Sequence, residues 1–278
     1  MLKSFLVAVD GSEYASGAVE YAAGLAKTSG ARLTLLYVID IVSLEGPFLA
    51  DLSGSVGITP FLDFQDRVRS AMEEKAAMVV EGYASALKKK GLDCATKIET
   101  GIVSRTICQE AMEHDAIIIG RRGEHASWRG FLLGSVVEEV VRGCTRPVLV
   151  TTLEARPLKK LLVAYDGSKT ANRALGVAAS LAESLAIPVA VVCVSPDSRA
   201  GHGFLGEAET YLEPHGIAAE KILEKGSATD GILAAAEKTD CDLIIMGAFG
   251  HSRVRELLLG STTDGILRNA DVPVLLYR

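Results

Sequence analysis

The chain contains two copies of one pattern, and this limits what it can fold into more than any other feature. VAVDGS (Val7–Ser12) returns as VAYDGS (Val163–Ser168), and LLYVID (Leu35–Asp40) is echoed by VVCVSP (Val191–Pro196), both at an offset of 156 residues. IIIGRRG (Ile117–Gly123) answers IIMGAFG (Ile244–Gly250) at 127. LLGS (Leu132–Ser135 and Leu258–Ser261) and the pair RPVLV (Arg146–Val150) and VPVLL (Val272–Leu276) then recur at 126. The first drop places about 29 additional residues after the second strand of copy 1, and the second places one more between Gly123 and Gly134. Each copy is long enough to bury a core of its own, so the reading is a duplicated domain and not a solenoid. The expected division is 1–152, with an insert at about 41–80, and 157–278.

Within each copy, apolar runs alternate with helical periodicity. Phe5–Val9, Leu33–Ile39, Ile117–Ile119 and Val148–Val150 are short, continuous and apolar, as strands covered on both faces must be. Between the first two, Ala15, Ala18, Val19, Ala22, Leu25 and Ala26 recur at helical spacing, with Ser12 placed to cap and Gly30 to stop. Copy 2 repeats this from Ser168 through Ala171, Ala174, Leu175, Ala178, Leu181, Ala182 and Leu185. The insert begins as a Gly/Pro/Ser-bearing loop around Gly46–Pro60 and continues as a helix of about Asp63–Lys90 closed by Gly91. Its Lys88–Lys90 complements the helix carboxyl end. Five alternating strands per copy predict an α/β fold of two open, doubly wound parallel sheets.

Composition narrows the function. A formal charge of −6 and the absence of a basic stripe argue against nucleic acid or an anionic membrane as the main partner. The longest apolar run, Ala186–Val194, falls well short of the roughly 18 residues of a membrane span. Phe5–Val9 meets Asp10 and Gly11 at once, so no signal peptide is expected. The five cysteines (Cys94, Cys108, Cys144, Cys193, Cys241) form no CxxC pair, and their odd number reads as buried thiols in a reducing cytoplasm.

In an open α/β sheet, ligands sit beyond the strands' carboxyl ends where strand order reverses. Two features fall there. One is the aspartate after strand 1, Asp10 and Asp166. The other is a glycine cluster after strand 4: Gly120, Gly123, Gly134, Ser135, and Gly247, Gly250, Gly260, Ser261. Glycine and serine opening a helix offer free N–H groups and a favourable dipole, which is a seat for phosphate. The carboxylate suits a sugar diol, each hydrogen bond to a charge contributing about 1.5–3 kcal/mol. Together they describe a nucleotide.

GAFGHSRVRELLLGS (Gly247–Ser261) reads Gly, two residues, Gly, nine residues, Gly-Ser. This resembles the nucleotide motif of the ATP-binding branch of universal stress proteins, and VAYDGS, VVCVSP and PVLL sit where that family places them. The resemblance covers nearly the whole chain and implies a tandem two-domain member with adenine nucleotide alpha hydrolase-like sheets of strand order 3-2-1-4-5. It implies ATP, with Mg2+ held by the phosphates. Asp166 would hold the ribose, and the backbone near Val194 would meet the adenine edge. Gly247, Gly250, Gly260 and Ser261 would cradle the phosphates with Thr262 beside them. The matching positions in copy 1 are Asp10, Val38, Gly120, Gly123, Gly134, Ser135 and Val136. Copy 1 departs from the motif: ten residues (Glu124–Leu133) replace nine, with Trp128 inside and Arg121, Arg122 and Arg129 nearby, which leaves room for a bulge to absorb the extra residue and for the arginines as candidate phosphate contacts.

Plainer readings stand beside these. A DGS after a strand, taken alone, is more often a turn and helix cap than a ligand contact. His202 and His251 read as exposed loop histidines, and Trp128 as a packing anchor. GHGFLG (Gly201–Gly206) matches GxGxxG but is not at the first strand–helix turn, and reads as a flexible connection with a helix only from Glu207 to Leu212. No GxxxxGK[ST] loop occurs. No lysine lies in the glycine motif, nothing fixes His251, Arg253 or Arg255 as catalytic, and no Ser-His-Asp set is evident. The expectation is therefore a nucleotide-dependent regulatory or stress-response protein without catalysis. A slow ATPase or phosphotransferase, or a scaffold with unfilled pockets, is the alternative. The short linker (Thr151–Leu158) forces the copies together, and pairing Val148–Val150 with Val274–Leu276 would close both edges. A homodimer through edge strands or through the repeat 1 insert is also expected, the insert apolars Phe48, Leu49, Phe61 and Phe64 being candidates for a lid, a subunit contact or core packing alike.

Overall fold

The computed structural model describes residues 2–41, 61–124, 133–248 and 259–278, with no side chains described for 61–65. Repeat 1 runs β1 (Ser4–Ala8), α1 (Glu13–Ser29), β2 (Arg32–Asp40), α2 (Phe61–Lys89), β3 (Cys94–Gly101), α3 (Val103–Glu110), β4 (Ala116–Gly120), α4 (Ser135–Gly143) and β5 (Val148–Thr151). Repeat 2 follows as β6 (Leu161–Ala164), α5 (Lys169–Leu185), β7 (Val189–Val194), α6 (Ser198–Leu212), β8 (Glu220–Glu224), α7 (Ala228–Thr239), β9 (Leu243–Gly247), α8 (Ser261–Asn269) and β10 (Val274–Tyr277).

The strands form one sheet in the order β3-β2-β1-β4-β5-β10-β9-β6-β7-β8, which is the expected 3-2-1-4-5 written twice about a central seam. Every pairing inside a repeat is parallel. At the seam β10 meets β5 antiparallel, with Val274, Leu275 and Leu276 opposite Val150, Leu149 and Val148. The two edges that would otherwise invite aggregation are spent on each other. Arg121 crosses the seam and donates to the carbonyls of Ala270 and Val272, at 2.7 and 3.4 Å.

Because successive strand residues point to opposite faces, β1 feeds two cores. Phe5 and Val7 join the layer under α1 and α2, while Leu6 and Ala8 join the layer under α3 and α4. The buried stripe of α1 includes all six positions expected from periodicity, and that of α5 includes Ala171 through Ala182 in the same pattern. Ser12 and Ser168 cap their helices by accepting from the amides of Ala15 and Ala171, both at 3.1 Å. Lys88 and Lys89 lie in the last turn of α2, and Lys90 pairs with Glu20.

Two expectations are corrected. GHGFLG is not a flexible connection: it lies inside α6, which Asp197 opens by accepting from the amides of Arg199 and Ala200. A β-carbon at Gly201 would come within 2.4 Å of Leu223, so that glycine permits close helix–strand packing. The cysteines are not all free either. Cys108 on α3 and Cys144 at the end of α4 form a disulfide, with Cα atoms 5.0 Å apart, leaving Cys94, Cys193 and Cys241 as thiols. Helix packing, not sequence spacing, brings that pair together. Phe48, Leu49, Trp128 and Arg129 lie outside the described residues, as do the side chains of Phe61 and Phe64.

The bridge closes a segment of sequence separation 36, for which restriction of the unfolded chain corresponds to about 3–4 kcal/mol. The oxidised protein should therefore show a higher urea midpoint than the Cys108→Ser/Cys144→Ser double variant. Coincident midpoints would show that the bridge contributes nothing to stability.

Candidate functional site

The site begins where β1 stops. Asp10-Gly11-Ser12 turns the chain into α1, with Gly11 at φ +82°, a left-handed conformation that other residues adopt at a cost. Asp10 Oδ1 accepts from the Ser12 amide at 3.0 Å, and Asp166 Oδ1 accepts from Ser168 in the same way at 3.0 Å. The plainer reading of DGS, a turn and a cap, is thus satisfied in both copies. It does not exhaust the carboxylate, since each oxygen accepts more than one hydrogen bond.

The end of β4 is pressed against that turn. A β-carbon on Gly120 would stand 2.7 Å from the backbone of Tyr14, and one on Gly123 would stand 2.6 Å from Asp10 Oδ2. The loop after β4 is held there by the Glu124 amide, which donates to Asp10 Oδ2 at 2.8 Å. Gly247 repeats the arrangement, its absent β-carbon falling 2.6 Å from the Ala171 nitrogen.

The third part is the start of α4. Gly134 takes the N-cap position with extended backbone and provides no side-chain cap; Gly260 does the same for α8. This distinguishes α4 and α8 from α1 and α5, where a serine oxygen holds the amide of the third helical residue, Ala15 or Ala171. The leading amides of Ser135 and Val136, and of Ser261 and Thr262, have no partner within their own helices and stand at the positive end of the helix dipole, a setting that suits an anion.

In repeat 1 these parts enclose one cleft of about 1070 Å³. Its lining includes all seven expected positions: Asp10, Val38, Gly120, Gly123, Gly134, Ser135 and Val136. The volume suits a ligand of nucleotide size. The floor is apolar, with Leu36, Ile107 and Ile119. In repeat 2, Asp166 follows β6, Val194 ends β7, Gly247 ends β9, and Gly260, Ser261 and Thr262 open α8. Gly250, His251, Arg253 and Arg255 lie outside the described residues.

The arginines behave differently from expectation. Arg121 is committed to the seam carbonyls instead of a phosphate, and burial holds its guanidinium below the ordinary arginine value. Arg122 does line the cleft, with its guanidinium over the Tyr14 ring at 5.9 Å. Motif spacing also missed a wall. Met72 and Lys75 of α2, and Tyr37 of β2, face the cleft. Lys75 pairs with Glu124, which holds the ammonium above the usual lysine range. Burial raises the Tyr37 phenol. The only advance signal for this wall was the length of the insert helix.

The model of the Universal stress protein family matches residues 1–152 and again 157–278. The chain belongs to the universal stress protein family. A universal stress protein of Synechocystis is 32% identical over the full length of both chains. One from Mycolicibacterium smegmatis is 24% identical over 98% of this chain and 96% of its own. Among solved structures, a universal stress protein from Archaeoglobus fulgidus superposes with a TM-score of 0.77 at 25% identity, covering 99% of this chain and 98% of that one. Both relatives and the solved structure match this chain across the two repeats.

The contact between Gly120 and Tyr14 predicts that Gly120→Ala destabilises the protein by about 1–3 kcal/mol, since backbone and not a mobile side chain occupies the space. Thermal denaturation followed by circular dichroism checks this. An unchanged melting temperature would show that β4 and α1 are not packed as described.

Proposed function

We propose that this universal stress protein binds adenine nucleotides, ATP with Mg2+ held by its phosphates, and acts as a nucleotide-dependent regulatory protein. The observation that supports this best is the convergence on one cleft of an aspartate, two close-approach glycines and a helix start without a side-chain cap. Asp10 would take the ribose hydroxyls, the backbone at Val38 the adenine edge, and the amides of Ser135 and Val136 the phosphates. In repeat 2 the corresponding groups are Asp166, Val194, and Ser261 with Thr262. The residues fit the ligand chemically, with N–H donors for the anion, a carboxylate for the diol and an apolar floor for the purine.

A binding role is favoured over turnover because Asp10, Lys75 and Glu124 are each engaged within the protein. Asp10 accepts from two backbone amides, and Lys75 is paired with Glu124. Such engagement orients a ligand without moving a proton. Nucleotide at about 100 times its Kd would stabilise the fold by about 2.7 kcal/mol, enough to bias a surface that responds to occupancy.

Denaturing freshly purified protein and quantifying released nucleotide by chromatography should give adenylates, reduced by Asp10→Ala or Asp166→Ala and abolished by the double variant. Protein that releases none, and whose melting temperature is unmoved by millimolar Mg-ATP, would rule the reading out. Phosphate release that disappears with Asp166→Ala would instead establish an ATPase.

A further inference from the structure

The two repeats differ in what the helix after the second strand contributes to the cleft. The left-handed glycines after α2 and α6, Gly91 and Gly216, align the two helices. In that register Val79 matches Phe204, and the match holds in space: Val79 covers Gly11 while Phe204 covers Gly167. Lys75 then corresponds to Ala200, which is exposed at the start of α6. At this helix position repeat 2 thus carries Ala200 where repeat 1 carries a cation facing its cleft.

The partner of that cation matters. Lys75 Nζ contacts Glu124 Oε1, and the backbone amide of the same Glu124 donates to Asp10 Oδ2. Glu124 thereby links a side chain on α2 to the carboxylate after β1. It immediately follows Gly123, where the repeat 1 motif begins its ten-residue spacing. The two charged side chains are 45% and 43% exposed, so the pair is accessible to salt and can part and re-form without disturbing the core.

We infer that Lys75 is a positioning residue of the repeat 1 cleft: by holding Glu124 it fixes Gly123 and Glu124 against Asp10 and slows dissociation of a bound nucleotide. This rests on the nucleotide-binding reading above. Lys75 acts through Glu124 and need not touch the ligand. An exposed pair of this kind predicts a two- to fivefold effect, in the range of about 0.2–1 kcal/mol measured for such pairs.

The test uses the full chain carrying Asp166→Ala, so that repeat 1 dominates the signal, with a fluorescent ATP analogue as probe and dissociation followed by stopped flow. Lys75→Gln and Glu124→Gln should each raise the dissociation rate two- to fivefold, with melting temperatures of the ligand-free proteins within about 4 °C of the parent's. The reciprocal exchange Lys75→Glu/Glu124→Lys should restore the parental rate. Added NaCl should accelerate release from the parent more than from Lys75→Gln, because the salt-sensitive pair with Glu124 is present only in the parent. Equal rates in parent and Lys75→Gln, or no recovery in the exchanged protein, would overturn the inference and leave nucleotide binding standing. A parent that takes up no probe would overturn the binding of nucleotide by repeat 1, and this inference with it.

Discussion

Everything at the candidate site depends on where β1 sits. It lies between β2 and β4, both parallel to it, so the chain leaves its carboxyl end toward α1 while its neighbours' chains leave in other directions. A cleft must open where these paths diverge. The cleft is polar at its rim because the aspartate after β1 and the glycines after β4 are the residues the divergence exposes. It is apolar at its floor because the strands beneath are buried on both faces. The antiparallel seam of β5 and β10 writes the same junction a second time in one continuous sheet.

Duplication has not kept the two junctions equal. Both retain the left-handed glycine, the serine cap and the helix start lacking a side-chain cap, which are backbone requirements that tolerate little change. The walls have diverged. Tyr37 faces the cleft in repeat 1 where Cys193 stands in repeat 2, and Val79 is replaced by Phe204 over the DGS turn. The disulfide ties α3 to α4 in repeat 1; in repeat 2 Leu233 and Ala270 occupy the matching positions. Ser104 adds a second link between those helices through Glu139. The repeats thus share one backbone framework and differ in the side chains around it.

Much of this was legible in the residues because local chemistry dictates it. Strands covered on both faces must be continuously apolar, and Phe5–Val9 and Ile117–Ile119 are. A serine before an alanine-rich period must cap something, and Ser12 and Ser168 do. Pairing of the closing strands followed from two apolar edges on a short tether. What escaped depends on contacts distant in sequence. The Cys108–Cys144 bridge requires knowing that α3 packs on α4. The direction of Arg121 requires the seam to exist first. Lys75 reaches the cleft only because α2 lies across the DGS turn through Val79 and Tyr83, whose hydroxyl donates to the Ser12 carbonyl at 3.3 Å. GHGFLG misled for the opposite reason: its glycines suggest a loop, but the Asp197 cap and the close approach of Leu223 offset the roughly 1 kcal/mol that each glycine costs a helix.

The account stands on the amides that open α4 and α8 being donors to an anion. Hydrogen exchange of those amides, compared with ATP and with adenosine at saturation, addresses this most directly. Protection of Ser135 and Val136, and of Ser261 and Thr262, by ATP but not by adenosine is the predicted result, with Ala15 and Ala171 unchanged because serine oxygens already hold them. Equal protection by both compounds, or none at these four positions, would contradict it.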